Sequence, residues 1–389
     1  MTGVKPASYL VPSLVLGLPL VLYITFLGLS AIPLFQRNFL YAHKIHTLWW
    51  SNLWHPVSWG FADNQVNSFN LHTSDGERLH AWHILPLPLY AAHEHELAHP
   101  SMDTCDLKPL RNFEYFRDDP TSGLVISFHG NTGHIAQAIR PAHFRSLTSI
   151  SNIHVLTISY RGFGLSTGTP TEPGLILDAI TAINWAIHDA GVPPSRIVLM
   201  GHSLGTAVTS AALEHFAHEG VDFAGVVLVS AFSSLPTMLS GYAIAGFLPV
   251  LAPLKISSWL LRHAMEYVVD KWPSADRLRE TVRVVKGRGG RLRLHMVHAA
   301  DDWDIPCHED DKLFKAAVEG TFREGVGMDE ETLAREKEVR TVGSGNAFAA
   351  TWKDGDVVIR QERFPNGGEY LALRDEMRLD GKKLTFSRT

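Results

Sequence analysis

Ser203 stands midway between two glycines in Met200-Gly201-His202-Ser203-Leu204-Gly205, with the apolar run Ile197-Val198-Leu199-Met200 leading into it. From Thr206 to Leu213 the residues are small or apolar and suit a helix. A strand ending at Met200 and a helix beginning just past Ser203 force a sharp reversal, with the serine strained at its apex. Gly201 and Gly205 lack a Cβ, so strand and helix can close in on either side. The hydroxyl of Ser203 is thereby held out at the carboxyl edge of a sheet, beside Leu204 N–H and the positive end of the helix. That is how a nucleophile for acyl transfer is presented. An ordinary glycine-rich turn gives no reason for a serine centred between both glycines.

Such a hydroxyl needs donors for the developing negative charge and a base for its proton. Phe128-His129-Gly130-Asn131-Thr132-Gly133 directly follows another apolar run. Backbone N–H groups of that turn, Asn131 first, are expected to join Leu204 N–H as oxyanion donors. The acid that orients a base is expected where a buried strand runs out into His298-Ala299-Ala300-Asp301-Asp302-Trp303-Asp304-Ile305-Pro306. Asp302 is the choice, with Asp301 and Asp304 as the neighbouring alternatives. The base is not found. No histidine follows His308, which lies six residues after Asp302 and is too close to leave that loop and approach Ser203 from the other side. Should a base be present after all, His129, His134 and His308 are the first places to look.

The elements that position these residues read as follows. At 389 residues the chain accommodates one large α/β domain or two small ones. A formal charge of −5 gives no sign of a nucleic-acid surface. Two cysteines, Cys105 and Cys307, exclude a disulfide framework, and no Asn-x-Ser/Thr sequon occurs. No charged residue lies between Pro6 and Gln36, and Leu14 to Ile32 is almost wholly apolar. About 20 apolar residues match the roughly 30 Å hydrocarbon core of a bilayer. Residues 1–36 are therefore expected to be a retained single-pass anchor. A cleaved signal peptide is the rival, with Ser30-Ala31 as its cleavage-like site. Tyr9, Tyr23, Tyr41, Trp49 and Trp50 suit interfacial positions. Lys5 and the amino terminus balance Arg37 and Lys44, so charge does not set the orientation.

Residues 37–389 are expected to form the catalytic domain. Asn67 to Leu85 reads as a hairpin turning at Ser74-Asp75-Gly76, and residues 86–122 as a polar loop. His93, His95 and His99 in that loop lack a recognised metal-ligand spacing, so a solvated loop is expected and no metal. Leu124 to Phe128, Val155 to Ser159, Ile197 to Met200, Gly225 to Val229 and Leu292 to His298 are short apolar runs of buried parallel strands. Leu175 to Ala190 is an amphipathic helix between two of them. Repeated strand–helix units imply a mostly parallel sheet with helices on both faces. Leu235 to Leu261 breaks the alternation, carrying one charge, Lys255, among Pro236, Gly241, Gly246, Pro249 and Pro253. It reads as an apolar lid within about residues 232–290; buried packing helices are the other reading.

Taken together, these residues resemble the α/β-hydrolase superfamily, in the chain order serine, aspartate, histidine. Ser159-Tyr160-Arg161-Gly162-Phe163-Gly164-Leu165-Ser166-Thr167-Gly168, followed by Pro170, Glu172 and Gly174, is similar to the membrane-anchored abhydrolase-domain lipases, which include monoacylglycerol and lysophosphatidylserine lipases. The likeness covers roughly residues 60–310. It implies a membrane-bound serine hydrolase of lipid esters, with no cofactor, and the endoplasmic reticulum as the candidate membrane. It also implies a histidine shortly after the last strand. Here Val357 to Phe364 is followed by Pro365-Asn366-Gly367-Gly368-Glu369, so Glu369 stands at the base position, and the charged residues 365–389 are atypical. A carboxylate with a reference pKa of about 4.3 is a poor base toward a serine hydroxyl. Two functions follow: a lipid-ester hydrolase, or a non-catalytic hydrolase-fold protein that binds a lipid or a protein partner.

Overall fold

The computed structural model describes residues 7–46, 52–98, 108–150, 152–242, 251–322, 338–341 and 347–367. The chain begins with two helices, α1 (Ala7–Ser30) and α2 (Pro33–Tyr41). Among the described residues no single helix is long and apolar enough to cross a membrane. Gly17–Ser30 and Pro33–Tyr41 have that length and composition only as a pair, bent by 97°. Tyr41 departs from its expected interfacial place. It is buried and donates to Asp270 Oδ2 at 2.7 Å, because α2 folds back onto the domain.

A hairpin follows, β1 (Val66–His72) against β2 (Arg78–Ile84), with His72 opposite Arg78 across the expected turn. The polar stretch after it is not an irregular loop. It holds α3 (Leu87–Ala92), α4 (Glu94–Ala98) and α5 (Lys108–Asp118). The reason lies in Phe113 and Phe116, three residues apart and therefore on one helical face. Both are fully buried, Phe113 stacked on His83 at 3.8 Å. That aromatic pair outweighs the polar remainder. His93 packs beside Tyr115 and lies 3.8 Å from Glu96, while His99 lies outside the described residues.

From there strand and helix alternate: β3 (Gly123–Phe128), α6 (Arg140–Thr148), β4 (Ile153–Ile158), α7 (Glu172–Asn184), β5 (Ile197–His202), α8 (Leu204–His218) and β6 (Gly225–Val229). Thr171 caps α7, accepting from Gly174 N at 3.2 Å. The long β6–β7 crossover carries α9 (Leu235–Gly241), α10 (Ser258–Glu266) and α11 (Ser274–Gly287). After it come β7 (Leu292–Ala299), α12 (His308–Glu319), β8 (Glu338–Thr341), β9 (Phe348–Asp354) and β10 (Val357–Phe364).

The ten strands form one sheet in the order β1-β2-β4-β3-β5-β6-β7-β10-β9-β8. The six from β4 to β10 are parallel, and antiparallel strands flank them on both edges. Alternation divides the core between the two faces. Leu124, Ile126, Phe128, Ile197 and Leu199 join one buried cluster with α7, α8, α11 and α12, while Val125 and Val198 join another with Phe144 and Leu147 of α6. The segment 232–290 is of two kinds. Its second part, α11, covers the sheet and buries Leu278, Val282 and Val285, each contributing about 1.5–3 kcal/mol. Its first part leaves Ile256, Trp259 and Leu260 exposed. Residues 243–250 of that part lie outside the described residues.

Candidate active site

The sharp reversal expected at Ser203 is present, with φ 52° and ψ −119° between β5 and α8. An L-residue rarely adopts a left-handed φ, and the flanking glycines explain why it is tolerated here. A Cβ on Gly205 would lie 2.0 Å from Phe128 O, and one on Gly201 would lie 2.4 Å from Gly205 O. Only hydrogen fits at either place. Ser203 N–H donates to Val229 O at 3.0 Å, which fixes the turn to the next strand.

The turn after β3 lies against this serine. A Cβ on Gly130 would be 3.2 Å from Ser203 Cβ and 3.1 Å from His202 Nδ1. Thr132 N–H donates to Tyr41 O at 3.3 Å and Gly133 N–H to Ile45 O at 3.0 Å, while Asn131 N–H has no acceptor among the described residues. Leu204 N–H opens α8 and is one of the amides a helix leaves without an internal acceptor. Two unspent backbone donors therefore border Ser203, as an oxyanion site requires. The Asn131 side chain is used otherwise, its Nδ2 donating to Leu40 O. Chain leaving α2 is thus built into this turn.

Asp302 follows β7 at the same sheet edge. Its Oδ1 accepts from Asp304 N at 3.0 Å and Ile305 N at 2.9 Å, and its Oδ2 lies 3.4 Å from His298 Nε2. Burial pushes this carboxyl up, but His298, the Ile305 amide and the nearby Ser230 hydroxyl outweigh it and hold it below its ordinary value. Burial likewise lowers His298, and the carboxylates of Asp302 and Asp310 with the Ile305 carbonyl reverse that and raise it. His298 Nε2 also donates to Ile305 O at 2.8 Å, so this imidazole braces the acid loop.

His129, His134 and His308 are held by other partners in the structure. Burial, with Arg140 adding to it, holds His129 well below its usual range, and the neutral ring donates from Nδ1 to Gly130 O at 2.7 Å. His134 accepts Ala136 N–H at 3.2 Å, and His308 lies 3.5 Å from Glu309 at the exposed start of α12. In the parallel array the strand beyond β7 is β10, and Ala300 N donates to Phe364 O at 2.7 Å. The chain that leaves β10 therefore starts beside the acid loop. Glu369 lies outside the described residues.

Three residues of the site have no role assigned from the sequence: His298 and Tyr160, which stand inside quoted motifs, and Arg140. Tyr160 OH donates to His129 O at 3.0 Å, which ties the Tyr160-Arg161-Gly162 block to the turn beside Ser203. Arg161 joins Asp178 at 2.8 Å and Asp75 at 2.7 Å, locking the β1–β2 hairpin turn to α7. The positions of His298 and Tyr160 in their motifs were available signals; nothing in the spacing marked Arg140.

Residues 125–354 match the model of the alpha/beta hydrolase family. Protein ABHD12B of Homo sapiens is 30% identical over 197 residues, 50% of this chain and 49% of that protein, so the chain spans about half the length of this relative. Lysophosphatidylserine lipase ABHD12 of Danio rerio is 22% identical over 299 residues, 76% of this chain and 70% of that one. Among solved structures, an alpha-beta hydrolase from Vibrio vulnificus shares the fold with a TM-score of 0.52 and 18% identity, covering 74% of this chain and 84% of its own.

Proposed function

The chain belongs to the alpha/beta hydrolase family, and on that footing we propose that it is a membrane-anchored serine hydrolase of lipid-type carboxylic esters. Monoacylglycerols or lysophospholipids are the substrate class. The observation that carries this reading is Ser203 strained at the β5–α8 turn, with the unspent amides of Asn131 and Leu204 beside it. Ser203 Oγ attacks the ester carbonyl, an Oγ–C bond forms, and the two amides take the negative charge on the carbonyl oxygen. The C–O bond to the alcohol breaks and the alcohol leaves with the proton. Water then releases the fatty acid from the acyl-enzyme.

Asp302 is the acid of this scheme, and the proton's carrier is sought in the sequence after β10, where Glu369 stands at the position at which the resemblance expects a histidine. The lipid class is supported by the exposed apolar surface of Ile256, Trp259 and Leu260 in the lid, and by the relative whose name is lysophosphatidylserine lipase. The anchor reading rests on the uncharged run from Pro6 to Gln36. No cofactor or metal enters.

A second reading, a non-catalytic hydrolase-fold protein that binds a lipid or protein partner, is favoured by one fact: Glu369, not a histidine, follows Gly367-Gly368. Replacing Glu369→His decides between them. If the scheme is right, ester turnover rises by at least about tenfold, since loss of a triad member costs on the order of 10⁴ in rate. A folded variant with no turnover above that of Ser203→Ala supports the binding reading.

A further inference from the structure

Arg140 is the first residue of α6, and its guanidinium reaches four backbone carbonyls of the turn beside Ser203. Nη2 donates to Gly130 O at 2.9 Å and Asn131 O at 2.5 Å; Nη1 donates to Thr132 O at 2.9 Å and His134 O at 2.6 Å. Three of these carbonyls are consecutive. In a trans peptide the C=O and the following N–H point to opposite sides, and no peptide bond among the described residues is cis. Drawing the carbonyls of residues 130, 131 and 132 to one cation therefore turns the next three amides the other way. Two of those amides are spent: Thr132 N–H on Tyr41 O and Gly133 N–H on Ile45 O. The third is Asn131 N–H, the unspent one bordering Ser203.

We propose that Arg140 is the positioning residue of the oxyanion turn: it gathers the carbonyls of Gly130, Asn131 and Thr132 so that Asn131 N–H faces the nucleophile. This rests on the reading of Ser203 as nucleophile and Asn131 as donor. A turn with left-handed Thr132 (φ 61°) and Gly133 (φ 69°) has no regular hydrogen-bond ladder to hold it. The planar fork of a guanidinium supplies that hold. A lysine ammonium is a compact charge that does not present donors across such a span.

The test uses the full-length protein in detergent and a fluorophosphonate probe, followed by mass spectrometry of the Ser203 peptide. In that reaction the Oγ–P bond forms, the P–F bond breaks, fluoride leaves, the proton passes to solvent, and charge grows on the phosphoryl oxygen. Arg140→Ala is expected to slow Ser203 labelling about 10²-fold at saturating probe. The half-saturating probe concentration should stay nearly unchanged, and added methylguanidinium should restore part of the rate. Arg140→Lys is expected to stay at least about tenfold slow, and it serves where the alanine variant does not fold. Labelling of either folded variant at the wild-type rate, with the wild-type adduct on Ser203, overturns the proposal and leaves the nucleophile in place. Absence of any Ser203 adduct in the wild type removes the reading on which Arg140 depends, and the proposal with it.

Discussion

The acid loop is where single residues are most sharply tested. His298 is raised and Asp302 lowered, and each sets one side of a pH window. A raised histidine contributes stability that is complete below its unfolded value of about 6.5 and is lost as pH climbs through the folded one. A lowered aspartate contributes above its unfolded value of about 3.9 and loses that share as pH falls through the folded one. His298→Asn is therefore expected to flatten the decline of the melting temperature above about pH 6.5, read by thermal unfolding across pH. Equal slopes in wild type and variant would show that the pair contributes nothing there. Asp302→Asn keeps an oxygen for the Ile305 amide but loses the charge. Starting from Glu369→His, it should lower ester turnover by up to about 10⁴-fold with little change in folding. Much of this site was legible in the sequence, because serine between glycines and aspartate after a buried strand are local patterns. His298 was missed because its role depends on the loop folding back so that Ile305 O meets its ring. Arg140 was missed because its partners are carbonyls, which every residue has.

At the scale of elements, the β5–α8 turn depends on close clearance as well as on the Ser203 N–H bond to Val229 O. Gly205→Ala would drive a methyl group against Phe128 O and is expected to cost more than about 3 kcal/mol, with loss of soluble protein. Gly287→Ala meets nothing within 4 Å and should be neutral or stabilise by up to about 1 kcal/mol, which controls for alanine itself. The end of α2 and the chain just after it give a second expectation. Leu40, Tyr41 and Ile45 accept from the side chain of Asn131 and the amides of Thr132 and Gly133. Deleting residues 1–31 should leave Ser203 labelling intact, whereas deleting 1–46 should abolish it; equal labelling would detach this segment from the site. The parallel strands and the first hairpin were readable from apolar runs and alternation. Helix α5 was not, since two buried phenylalanines in a polar stretch carry little periodicity. Nor were β8 and β9, whose place is set by pairing onto β10.

For the whole molecule, α2 and the chain between α10 and α11 are one unit. Gln36 Nε2 donates to Tyr267 O at 2.6 Å, its Oε1 accepts Val269 N–H at 3.0 Å, and Trp272 Nε1 donates to Tyr41 OH at 3.3 Å. The expected outcome is that deleting residues 1–31 shifts the protein from the membrane pellet toward the supernatant. Recovery of the full-length protein in the soluble fraction without detergent would contradict the anchor. If the segment before α11 roofs Ser203 as the proposed function requires, longer acyl chains should be preferred, since each buried methylene contributes about 0.8 kcal/mol. The acyl-enzyme itself gives the most direct test. If Glu369 stands in for imidazole, acylation and hydrolysis are both slow, so the ester on Ser203 is sought over a long time course. Purified full-length protein is incubated with 1-oleoylglycerol, quenched in acid and digested, and the Ser203 peptide is weighed. The account predicts an oleoyl ester on Ser203 in the wild type and none in Ser203→Ala; an unmodified Ser203 peptide beside equal fatty-acid release from both proteins would contradict it.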